Sequence, residues 1–81
     1  MEPISITEAK YLDGYRLQLT FSDGLTQNVD LKDELWGEVF EPLKDIENFR
    51  KFKLNPFTIE WESGADFSPE FLYRLATRNA A

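Results

Sequence analysis

Residues 15–31 read Tyr15-Arg16-Leu17-Gln18-Leu19-Thr20-Phe21-Ser22-Asp23-Gly24-Leu25-Thr26-Gln27-Asn28-Val29-Asp30-Leu31. From Tyr15 to Phe21 apolar and polar side chains alternate without a fault, which is the period of a half-buried strand. Ser22-Asp23-Gly24 has the composition of a three-residue hairpin loop, a type I turn followed by Gly in the left-handed conformation. That loop sets Phe21 opposite Leu25, Leu17 opposite Val29 and Tyr15 opposite Leu31. On the other face it sets Thr20 opposite Thr26, Gln18 opposite Asn28 and Arg16 opposite Asp30. One face is then apolar apart from Gln27, and a slip of one residue would expose the whole apolar set. The stretch therefore specifies an antiparallel hairpin with a core packed on one side.

Upstream, Leu12-Asp13-Gly14 predicts a second three-residue loop, with Tyr11 opposite Tyr15 and Ala9 opposite Leu17. Ile4 and Ile6 then have the wrong parity for that face, which predicts a bulge near Thr7-Glu8 or a strand end that leaves the sheet there. Downstream, Asp30 reads as an N-cap with Asp33 in the first helical turn. Leu31, Leu35 and Val39 are spaced i, i+4, i+8, and Trp36 and Phe40 widen the stripe. Gly37 costs a helix about 1 kcal/mol relative to Ala, so the helix is predicted to be short or broken there. Pro42 opens a second helical stretch with Leu43, Ile46 and Phe49 on one side. Phe52-Lys53-Leu54 and Phe57-Thr58-Ile59-Glu60-Trp61 read as two strands with aromatic-rich inner faces, separated by Asn55-Pro56. Ser68 and Pro69 supply an N-cap and a first-turn proline for a last helix. Its stripe is Leu72, Leu75 and Ala76, and residues 77–81 are expected to fray. The expected fold class is α+β in a single domain, residues 1–81: an antiparallel sheet made of a three-stranded meander plus a two-stranded segment. Helices pack on one face, in the order β-β-β-α-β-β-α.

The 81 residues include no cysteine and no histidine. Disulfides, thiolate zinc sites, thiol nucleophiles and Ser-His-Asp triads are thereby excluded. No apolar run approaches the ~20 residues of a membrane span. The start, Met1-Glu2-Pro3, lacks the regions of a signal peptide, so a cytoplasmic protein without membrane contact is expected. The net charge of −6 is uneven: residues 30–47 hold seven acids against Lys32 and Lys44, and Arg50, Lys51 and Lys53 follow as a basic cluster. Phosphate neutralisation needs a broad basic face, so direct nucleic-acid binding is not expected, whereas a basic protein partner suits the pattern.

Carboxylates are the remaining catalytic resource, in the groups Asp30, Asp33, Glu34 and Glu60, Glu62, Asp66. Acid–base work needs two of them held at a defined separation in a cleft, and nothing in the spacing forces that. No segment has the alternating oxygen ligands and distal Glu of a calcium loop. No enzyme activity, metal or cofactor is expected. Residues 61–69 are the densest in signals. Gly64 suits a backbone angle that other residues resist. Asp66 is placed to bond loop amides or to add to the cap of the last helix, and Phe67 to staple it. Trp61, Gly64, Asp66 and Phe67 are therefore a candidate loop or ligand site. Asp33, Glu34, Trp36 and Glu38 are candidate partner-binding residues. Phe21, Trp36, Phe40, Phe49, Phe52, Phe57, Trp61, Phe67 and Phe71 are more aromatics than so small a domain can enclose, so some should line a pocket or an interface, including that of a homodimer.

Phe21-Ser22-Asp23-Gly24, Val29-Asp30-Leu31 and Ile59-Glu60-Trp61-Glu62-Ser63-Gly64-Ala65-Asp66-Phe67-Ser68-Pro69 together resemble the bacterial domain-of-unknown-function family 2442. The resemblance runs from about Ile4 to Tyr73. It implies a compact α+β domain of the same element order and no established catalytic residues. It also implies a neighbouring small protein as partner, in a toxin–antitoxin-like pair. Relatives that carry a helix-turn-helix after this domain bind DNA through that part, a role not expected of the present chain. The expected function is a non-catalytic protein-interaction module; the alternative is a small-ligand-sensing domain with a pocket near Trp36, Trp61 and Phe67.

Overall fold

The computed structural model describes residues 3–79. Three antiparallel strands form a meander in the order β1-β2-β3: β1 (Ile6–Asp13), β2 (Arg16–Phe21) and β3 (Thr26–Asp30). The β2–β3 register is the one that the alternation demands, with Leu17 opposite Val29, Gln18 opposite Asn28 and Arg16 opposite Asp30. Phe21 donates to the Leu25 carbonyl at 2.8 Å, which closes the three-residue loop. Leu17, Leu19, Phe21, Val29 and Leu31 are buried together on one face.

A register shift between Ile6 and Glu8 is the expected bulge, and it turns Ile6 inward opposite Phe21. The first hairpin is tighter than the three-residue loop expected at residues 12–14. Asp13 pairs with Arg16 across a second shift, the turn is Gly14-Tyr15, and Tyr11 faces Leu17 while Ala9 faces Leu19. The facing pairs thus move by two residues, which preserves the face of every side chain.

The stretch after β3 departs further from its expected helix. It forms two 3-10 segments, Lys32–Glu34 and Glu38–Lys44, on either side of Gly37 at φ 98°, ψ 159°. The break foreseen at Gly37 is a bend with backbone angles open in practice to glycine alone. It ends the i, i+4 stripe: Leu31 and Leu35 are buried, whereas Val39 is exposed. Asp30 does not cap a helix; its carboxylate accepts from the Lys32 amide at 3.0 Å in a turn. A single turn, α1 (Ile46–Phe49), follows, capped by Asp45, and seats Phe49 in the core while Ile46 stays outside.

Two short strands, β4 (Lys53–Leu54) and β5 (Ile59–Glu60), pair antiparallel. Asn55 builds the loop between them, its side chain accepting from the Phe57 and Thr58 amides at 2.8 Å. Phe57 falls in that loop rather than on the inner face of a strand, and its ring is exposed. The last helix, α2 (Pro69–Asn79), starts where Ser68 accepts from the Phe71 amide at 3.1 Å. The helix spans Thr77 and ends at Asn79, and residues 80 and 81, the rest of the stretch expected to fray, lie outside the described residues.

Both helices pack on the apolar face of the meander. Phe49 of α1 meets the edges of Tyr11 and Tyr15, at ring-centroid distances of 6.4 and 5.3 Å. Tyr73 of α2 meets Phe21 at 5.0 Å. The Tyr73 hydroxyl also donates to Asp23 in the β2–β3 loop at 2.5 Å, tying the helix to the hairpin. One hydrophobic cluster runs from Ile6 to Ala76 through every layer.

Candidate functional site

The aromatics of residues 61–71 pack in series. Trp61 is buried and its indole N–H donates to the Phe49 carbonyl at 2.8 Å. Phe67 meets Trp61 edge-on at 5.9 Å and lies parallel on Phe71 at 5.6 Å. Gly64 at φ 93° makes the turn between them, donating to the Trp61 carbonyl at 3.0 Å, and Trp61 in turn donates to Ala65 at 2.9 Å. Asp66 bridges to Glu60 through its backbone and leaves its carboxylate exposed. Thr58 is buried beneath this turn, donating to the Phe67 carbonyl at 2.7 Å. Phe67 is therefore fixed from the backbone outward.

Against this stack the chain lays the segment on either side of Gly37. Phe40 packs on Phe67 at 4.9 Å. Just before the bend at Gly37, Leu35 turns into the core and Trp36 stays outside, 73% exposed. The result is an open groove of about 310 Å³ lined by Glu34, Trp36, Phe40, Asp66, Phe67, Ser68 and Phe71. Its floor is aromatic and its two ionisable side chains are both acids. Among the described residues the ion pairs are Arg16–Asp13, Lys44–Glu41 and Arg50–Glu47, so neither Glu34 nor Asp66 is neutralised by a neighbour.

The groove joins one member pair from each of the two candidate sets, Glu34 and Trp36 from the first and Asp66 and Phe67 from the second. Asp33 and Glu38 are exposed beside it without lining it, Trp61 backs it through Phe67, and Gly64 only shapes the turn. Phe40, Ser68 and Phe71 line it and belong to neither set. The i, i+4 spacing of Phe67 and Phe71 across a helix start was the signal for the last of these. Two other hollows lie outside this groove. One of about 400 Å³ lies on the outer face of β1 and β2, beside Leu54. One of about 290 Å³ lies between Pro42, Asn48, Lys51 and Trp61. Among the described residues no three acids gather as a metal-holding group, and no helix is long and apolar enough to cross a membrane.

Residues 6–78 match the family described as a protein of unknown function, DUF2442. The chain belongs to the DUF2442 family. No curated protein matches this DUF2442 chain. Among solved structures it is similar to the crystal structure of the putative DNA binding protein NE0471 from Nitrosomonas europaea ATCC 19718. The two share 27% sequence identity with a TM-score of 0.78, over 95% of this chain and 51% of that one. The DUF2442 chain thus spans about half the length of that protein.

This likeness corrects the expectation that direct nucleic-acid binding is excluded. The exclusion rested on the acidic balance of 81 residues. A similar domain occurs within a protein named for DNA binding, and about half of that protein lies outside the match. Net charge sums over a whole surface, whereas phosphate contact needs only a local basic face. The acidity of the chain therefore does not exclude nucleic acid as a partner.

Proposed function

We propose that this DUF2442 chain is a non-catalytic interaction module whose docking face is the groove between Trp36 and Phe71. The observation that carries the reading is the 73% exposure of Trp36 beside a stacked, backbone-anchored aromatic floor. Single exposed apolar residues are ordinary, but an exposed Trp joined to three further aromatics is the composition of an interface core. Small-molecule sites bury most of their ligand, and a groove this open favours a macromolecular occupant over the small-ligand reading. An antitoxin-like pairing with a neighbouring small protein is one form of this role. Affinity capture by the wild type and by Trp36→Ala, with near-ultraviolet circular dichroism confirming that both are folded, tests it. Loss of a stoichiometric partner in the variant alone is expected; equal recovery by both would refute the groove.

A second reading has its own support in the name of the Nitrosomonas protein. In that reading the domain also contributes to DNA contact, through exposed Lys51 and Lys53 beside Arg50. Anisotropy of a labelled duplex at low salt checks it: Lys51→Glu with Lys53→Glu should abolish binding, and unchanged binding would contradict the role of that cluster.

A further inference from the structure

The groove's chemistry also specifies what enters it, given the docking role proposed above. Its floor is Trp36, Phe40, Phe67 and Phe71, and the charged groups opening on it are the Glu34 and Asp66 carboxylates. Neither acid is in an ion pair among the described residues, and Glu34 is half-buried. Residues 30–47, Glu34 among them, carry a net charge of −5, seven acids less two lysines. An apolar side chain alone would leave these charges without a partner and take water from Glu34. An anion or a phosphate meets only like charge.

A cation satisfies both features, and the two biological cations differ in fit. The ammonium of lysine is a strongly hydrated point charge, whereas the planar guanidinium of arginine is weakly hydrated, stacks on an indole and forks onto carboxylates. We propose that the groove receives an arginine side chain of a protein partner, stacked on Trp36 and hydrogen-bonded to Glu34 and Asp66, with flanking apolar residues of the partner on Phe40 and Phe71. Asp66 also stands two residues before the Ser68 cap, where its charge favours the N-terminus of α2. Glu34 is therefore the residue whose substitution reports on recognition alone.

The test uses the full chain and the synthetic peptide acetyl-Gly-Ser-Leu-Arg-Leu-Ser-Gly-amide, with counterparts carrying citrulline or lysine in place of arginine. The chain has two tryptophans, so its indole N–H signals in a nuclear magnetic resonance titration separate exposed Trp36 from buried Trp61. The arginine peptide should move the Trp36 signal with little effect on that of Trp61. The citrulline peptide, equal in shape and uncharged, should bind roughly tenfold more weakly, and Glu34→Gln should weaken the arginine peptide by a similar factor. The lysine peptide should fall between the two. Equal binding of the citrulline and arginine peptides would overturn the arginine assignment and leave the groove as a docking face. A Trp36 signal that no peptide moves would overturn it as well. Failure of the docking reading itself has a different signature, a captured partner that Trp36→Ala still retains.

Discussion

At the scale of single residues, the groove is held from behind by two buried hydrogen bonds, from the Thr58 hydroxyl to the Phe67 carbonyl and from the Trp61 indole to the Phe49 carbonyl. Thr58 is 6% exposed and its hydroxyl donates to the Phe67 carbonyl. Thr58→Val keeps the shape and leaves that carbonyl without its donor, so unfolding should become easier by about 1–3 kcal/mol, read from the urea midpoint. The Tyr73–Asp23 bond makes a prediction about pH. The Tyr73 hydroxyl, and after it the Leu25 amide, holds the Asp23 carboxyl below its ordinary value of 3.8. A carboxylate with a lowered folded-state pKa stabilises the fold above the unfolded value and loses that contribution as pH falls through the folded one. Tyr73 is raised above 10.0 by the same bond, so its contribution is present below that value and is lost as pH rises through the raised one. Tyr73→Phe should therefore flatten the stability profile at both ends, below about pH 4 and above about pH 10. An unchanged profile would show that the bond does not persist in solution.

Among the elements, the segment between β3 and α1 decides whether the groove exists. Gly37 sits at φ 98°, ψ 159°, where any side chain is strained, although a Cβ there would meet nothing within 4 Å. Gly37→Ala should thus cost about 1–3 kcal/mol through the backbone alone and should shift Trp36, visible as a change in its fluorescence. The hairpin of residues 15–31 was legible in the sequence down to its facing pairs, because strict alternation and one loop length leave a single register. The bulge at Thr7 was legible for the same reason, as a parity conflict between Ile6 and Ala9. Residues 31–40 were not. Their i, i+4 apolar spacing describes a helix, and propensity marks Gly37 only as a weak point, whereas the structure bends there between two 3-10 segments. Val39 and Trp36 on either side of that bend are exposed, and no local pattern encodes where a chain goes after a glycine. Phe57 was misplaced for a similar reason: Asn55 folds the preceding backbone into a loop and shifts the ring off the strand.

For the whole molecule, the candidate site is a product of tertiary structure. Glu34 and Trp36 were candidates for one reason and Asp66 and Phe67 for another, and only the packing of Phe40 on Phe67 unites them. Four aromatics at one opening, with Trp36 bearing most of the exposure, mean that the groove can be altered without altering the fold. Trp36→Ala should change stability by no more than about 0.5 kcal/mol while abolishing partner recovery. Phe57 supplies an internal control, since it is 69% exposed and lies outside the groove. Photo-crosslinking in the native host, with p-benzoylphenylalanine placed in turn at position 36 and at position 57, compares two aromatic surfaces of nearly equal exposure. A single protein partner crosslinked from position 36 and not from position 57 is the result predicted here. Crosslinking from position 57 alone, or equally from both, would contradict the assignment of the docking face to the groove.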